Sequence, residues 1–250
     1  MTGFEITPFD GGALADTSRL HEITYAGDTA GAPSAVVVKA ARQDPDQRAF
    51  ALSGNAYLKE LRFFEDLASE VPLRTPRLYA SASDGSPQAE FFILVMEDLG
   101  SRSKLFHQVE DPPSAAFARK VALELAEMHA PYWESPTTAL PWLGPTNGRY
   151  EFPLDAAARG AADGWVLTRR AWQRHFGTDI FDRPQDAPLG ELNRLPCGPF
   201  CGAINDRIAD ILSSRPRTLL HRDLRADNIF RTPGTSVADA TLSYIDFQLM

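Results

Sequence analysis

Apolar and polar positions in the first hundred residues alternate in the way that predicts strands. RLHEITY (19–25) and SAVVVK (34–39) are rich in β-branched and aromatic residues and flank the turn-rich GDTAGAP, the pattern of a hairpin. RLYASAS (77–83) and AEFFILVME (89–97), separated by DGSPQ, predict a second hairpin. Between the two the period changes. In NAYLKELRFFEDLASEV (55–71), Tyr57, Leu61, Phe64, Ala68 and Val71 recur at helical spacing. This predicts one amphipathic helix crossing a mainly antiparallel sheet, with Lys59, Arg62 and Glu65 on its solvated side.

After about residue 100 the helical period dominates. SAAFARKVALELAEMHAPYW (114–133) reads as a helix with Ser114 as N-cap and Pro131 marking its end. AAARGAADGWVLTRRAWQRHF (156–176) and GAINDRIADILSSR (202–215) are further helices, and the Pro- and Gly-rich stretch between them reads as loop. The expected architecture is α+β: a small β-rich lobe over residues 1–98 and a mainly helical lobe over 99–250, with the boundary near Glu97–Gly100.

Composition narrows the partners. With 250 residues, 44% hydrophobic and 23% charged, the chain has the balance of an ordinary globular protein. No apolar run approaches the roughly 20 residues a membrane span needs. MTGFEITPFD lacks the basic and apolar regions of a signal peptide, so the expectation is a cytoplasmic protein without a membrane partner. A net charge of −8 argues against a nucleic-acid surface but leaves room for a nucleotide held by one or two cations. Cys197 and Cys201 form C-x3-C without a second pair, and read as reduced structural thiols rather than zinc ligands.

The chemistry concentrates in TLLHRDLRADNIF (218–230), where Asp223 and Asn228 fit H-x-D-x-x-x-x-N, and in LSYIDFQ (242–248). Phosphoryl transfer asks the protein for a group that orients the attacking hydroxyl and for oxygen ligands to Mg²⁺. A carboxylate and an amide five residues later supply those types. NIFR and LSYIDF, joined by TPGTSVADA, predict a hairpin that brings Asn228 and Asp246 to one end of a ribbon. An isolated Asp beside a strand is commonly a turn or capping residue; three residues in this order match one mechanism.

HRDLRADNIF followed by YIDFQ resembles the aminoglycoside phosphotransferase and choline kinase-like superfamily, and is similar to its ecdysteroid kinase-like branch. The resemblance spans nearly the whole chain and implies a two-lobed, protein-kinase-like fold. It implies ATP and Mg²⁺ as cofactors and the hydroxyl of a small-molecule alcohol as acceptor. By that resemblance Asp223 is the catalytic base, Asn228 and Asp246 hold Mg²⁺, and His221 supports the catalytic loop. Lys39 would hold the α- and β-phosphates and Glu60 would hold Lys39. Glu97 and Leu99 would border adenine, with Met96 at the back of that pocket. GGALADTSRL (11–20) occupies the place of a phosphate-covering loop, with Gly12, Thr17 and Ser18 as candidate contacts, although it is not G-x-G-x-x-G. His129 reads as a packing residue, and Trp133, Trp142, Trp165 and Trp172 as core by default.

Two rivals and three departures accompany that reading, one departure being DFQ (246–248) in place of DFG. A nucleotide-binding pseudokinase or inactive remnant is the first rival. A protein kinase is the second, suggested by HRD but lacking the usual phosphate loop and an A-P-E segment. Arg222 stands where many relatives carry glycine. Members of the superfamily continue with further helices beyond the point matching Met250, so the sequence predicts an incomplete large lobe. Tyr244, Ile245 and Phe247 would then be thinly covered, and turnover weak.

Overall fold

Strand alternation sets the first layer. The structure, a computed structural model, describes residues 1–9, 14–27, 29–105, 113–135, 140–143, 173–174, 177, 215–234 and 236–250. Five strands, β1 (Gly3–Pro8), β2 (Ala15–Thr24), β3 (Val36–Ala41), β4 (Leu78–Ser83) and β5 (Phe92–Glu97), form one sheet in the order β1-β2-β3-β5-β4. All neighbours are antiparallel. Both predicted hairpins are present. β1, a mostly exposed edge strand ending in proline, gave no alternating signal to predict it. In β5, Phe92, Leu94 and Met96 are buried while Ile93 and Val95 are more open, which is the two-residue period of a half-covered sheet.

Two helices follow β3 where the periodicity predicts one. α1 (Pro45–Ser53) begins at Asp44, whose side chain accepts from the Gln47 N–H, with proline at its first turn, and ends at Gly54. It buries only Ala51, so it has almost no apolar stripe; its capping residues were the readable signal. α2 (Ala56–Arg62) starts after Asn55, held at φ 53°, and passes into a π-helical turn, Phe63–Leu67. Tyr57, Leu61, Phe64 and Val71 are buried as expected. Lys59 is a correction: it is 2% exposed rather than solvated. Ala56, Tyr57, Lys59, Glu60 and Leu61 are all buried, so α2 is enclosed nearly all round and one apolar stripe underestimates its covered surface. Arg62 and Glu65 do lie outside, 3.3 Å apart.

α3 (Ala115–His129) is capped by Ser114, which accepts from the Phe117 N–H, and runs into a 3₁₀ turn at Ala130–Tyr132. β6 (Lys104–Leu105), before α3, and β7 (Ile229–Arg231) and β8 (Leu242–Tyr244), after it, make a second, three-stranded antiparallel sheet in sequence order. β7 and β8 are the predicted hairpin. The expectation of thin cover at its end is overturned: Tyr244 and Phe247 are fully buried. Tyr244 Oη donates to Glu124 of α3 at 2.7 Å, and Phe247 stacks on Phe63. Trp133, expected as core, is instead 57% exposed.

By internal contacts the chain divides into two units, one comprising residues 1–143 with 216–250 and the other residues 144–215. Everything described below belongs to the first. The predicted helices 156–176 and 202–215, both cysteines, Trp165 and Trp172 lie outside the described residues, apart from short pieces of the helices. No helix among the described residues is long and apolar enough to cross a membrane.

Candidate active site

Three elements converge on one ammonium group. β3 is the middle strand, and its alternation puts Val37 and Lys39 on the same side of the sheet, with Leu94 of β5 as the cross-strand partner of Lys39. α2 packs beneath that side, Tyr57 stacking on Phe92, and so carries Glu60 under β3. Lys39 Nζ donates to Glu60 Oε1 and lies 2.7 Å from both oxygens of that carboxylate. The same Nζ donates to Asp246 Oδ1 at 2.7 Å. Glu60 is 1% exposed.

Burial works against the charge on Lys39, but Glu60 and Asp246 more than offset it and hold the ammonium above the ordinary lysine range. Burial pushes the Glu60 carboxyl up; Lys39 opposes this and the nearby Asp246 charge adds to it. One cation thus serves two carboxylates, and the trio carries surplus negative charge at the wall of a cavity.

The loop that supplies the second half of the site is drawn together by main-chain bonds. Arg222 sits at φ 64° and the Asp223 N–H donates back to the His221 carbonyl at 2.9 Å, a γ-turn that reverses the chain before Asp223. His221 Nε2 donates to the Ile245 carbonyl at 2.8 Å and its ring lies against Phe247. Burial holds the imidazole below the usual histidine range, although the Ile245 carbonyl, Asp246 and Asp223 pull the other way. Asn228 donates through Nδ2 to the Asp223 carbonyl at 2.9 Å, and the Ile245 N–H donates to the Asn228 carbonyl at 3.1 Å. Asp223 itself stands 3.6 Å from Arg225 Nε, and Arg225 reaches Asp227 at 3.4 Å.

A cavity of about 610 Å³ lies over these groups. Leu14, Val37, Met96, Leu99, Phe230 and Ile245 give it apolar walls, while Lys39, Glu60, Asn228, Asp246 and Gln248 supply its polar side. Glu97 and Leu99 border it. Glu97 is anchored by Arg74 and by Arg102, and Asp98 accepts from Arg19 Nε at 2.7 Å and from the Gly100 N–H. Thr17 lines the cavity and its neighbour Ser18 does not, because successive strand residues face opposite sides. Asp223 is not among the lining residues. Gly12 lies outside the described residues.

The donor set suits a hard divalent cation. With Nδ2 of Asn228 committed to a carbonyl, its remaining polar atom is an amide oxygen, and Asp246 adds a carboxylate on the same cavity. Oxygen donors of this kind fit Mg²⁺ and offer nothing to a soft metal.

Phe63 and Asp98 were not singled out from sequence, and Gln248 was read only as part of the DFQ motif. Phe63 sits beside Phe64 outside the single helical stripe, and the motif gives Gln248 no role of its own.

The profile of the phosphotransferase enzyme family matches residues 5–248. No curated protein matches the chain. Among solved structures, the GDP and kanamycin complex of APH(2")-IIia is 14% identical with a TM-score of 0.47, the alignment covering 98% of this chain and 67% of that one. A microcompartment-associated aminopropanol kinase is 14% identical with a TM-score of 0.40, covering 98% of this chain and 64% of that one.

Proposed function

This chain belongs to the phosphotransferase enzyme family, and we propose that it transfers the γ-phosphoryl group of ATP to a hydroxyl of a small-molecule alcohol. Within the family we place it in the ecdysteroid kinase-like branch, on the strength of its IDFQ motif. The observation that carries the reading is Lys39 shared between Glu60 and Asp246 on the wall of a cavity that Asn228 also lines.

In this reading the nucleotide base lies against the apolar walls, with backbone groups of Glu97–Leu99 available to its edge. Lys39, oriented by Glu60, binds the α- and β-phosphates. Asn228 through its amide oxygen and Asp246 through its carboxylate would hold Mg²⁺, which when bound would offset the phosphate charge. Asp223 accepts the proton of the attacking hydroxyl. Its backbone is already fixed by the γ-turn and by Asn228, so little reorganisation is needed when the acceptor arrives. Residues 1–98 then form the nucleotide-binding lobe and 99–250 the lobe that bears the base.

Calorimetry with Mg·ATP, on the parent chain and on Asp246→Ala, tests this. Magnesium-dependent binding that is lost in the variant is expected. A folded chain that binds no Mg·ATP overturns the reading, and binding without turnover on any alcohol reduces it to a nucleotide-binding module.

A further inference from the structure

We propose that Gln248 is a positioning residue that fixes the Asp246 carboxylate for its cation, an inference that rests on the function proposed above. Gln248 is buried and lies on the cavity. Its Nε2 donates to Asp246 Oδ2 at 3.0 Å, and its Oε1 faces Lys39 Nζ at 3.5 Å. The reverse orientation of the amide would set an oxygen against a carboxylate and an NH₂ against an ammonium, so the neighbours determine which end is which.

Asp246 cannot be held by its backbone alone. It sits at φ 72°, in the left-handed region that an aspartate adopts at a cost. Lys39 takes one of its oxygens and Gln248 the other. The first of these contacts is not permanent: in the proposed reaction Lys39 must also serve phosphate, and it is shared with Glu60 throughout. Gln248 is the contact that persists when Lys39 turns to the nucleotide.

The side-chain chemistry is selective. The position needs a donor towards the acid and an acceptor towards the ammonium, at the two ends of one small group, and a carboxamide supplies both without carrying charge. A carboxylate there would repel Asp246. An alkyl chain would leave one Asp246 oxygen without its donor and free to rotate away from the cavity. Partners of a metal ligand that act this way change metal affinity by roughly 10- to 100-fold when removed.

The test titrates Mn²⁺ into the parent chain and into Gln248→Met with a non-hydrolysable ATP analogue, read by electron paramagnetic resonance. Gln248→Ser, too short to reach Asp246, is the second variant should Met fail to fold. Nucleotide binding in EDTA is measured beside both. Expected is a Mn²⁺ constant weakened at least about tenfold, a larger loss than that of metal-free nucleotide binding. A folded variant whose Mn²⁺ constant matches the parent overturns the inference and leaves the proposed function standing. A parent chain with no metal-dependent nucleotide binding overturns the proposed function itself.

Discussion

The ring of Phe247 lies flat on that of Phe63, centroids 3.8 Å apart and planes 11° from parallel. Phe63 follows the helix that carries Glu60, and Phe247 follows Asp246 directly, so this stack joins the two carboxylates that share Lys39. The position of one acid is thereby tied to the other through packed carbon as well as through the ammonium between them.

Phe247→Ala removes that joint. Both rings are fully buried, and losing one should destabilise the chain by about 3–5 kcal/mol. The urea midpoint measures this. Phe247→Leu, which keeps most of the volume, should cost clearly less.

Lys39→Met should destabilise more than the removal of an exposed lysine, by about 3–5 kcal/mol, because Glu60 and Asp246 are left facing each other without a cation. Lys39→Met/Glu60→Leu should recover much of that loss, since it removes the buried charge together with its partner. A double-mutant cycle on denaturation midpoints checks the sign and size of the coupling.

His221 gives a pH dependence of defined sign. Its folded pKa lies below the unfolded value, so the unfolded chain binds the proton more readily. Its contribution is complete above about pH 6.5 and is lost as pH falls from there towards the folded pKa, by up to about 1.4 kcal/mol per pH unit. His221→Gln, which can still donate to the Ile245 carbonyl, should remove that component. Urea midpoints of both chains at pH 7.5 and 5.5 should converge if the assignment holds, and stay parallel if it does not.

Arg222→Gly should raise stability by up to about 1 kcal/mol, because glycine adopts φ 64° without steric cost, less the added freedom of the unfolded glycine. Arg222→Val should lower it, since a β-branched side chain is least suited to that region. Thermal melts of the two variants against the parent give the order.

His221, Asp223, Asn228 and Asp246 were legible as candidates because they are compressed into two short motifs joined by a readable hairpin. Lys39 and Glu60 were legible only through family resemblance: a lysine at a strand end and a glutamate on a helix carry no local sign that they will meet. Lys59 misled because periodicity reports one apolar stripe, and α2 is covered on several sides. Thr17 was separated from Ser18 only by strand phase, which the sequence leaves open by one residue. Gln248 was illegible because its role depends on two groups, one of them more than two hundred residues away in the chain.

The π turn at Phe63–Leu67, where the Ala68 N–H reaches back to the Phe63 carbonyl at 2.8 Å, is a phase slip in an otherwise regular spiral. Upstream of it the helix is indexed to an ammonium in a strand; downstream the chain leaves the helix and enters the oily layer with Val71 and Leu73. A helix without the slip would have to satisfy both with one angular step. With it, the two stretches are separately geared. The chain can revise its packing below the sheet without turning Glu60 away from Lys39.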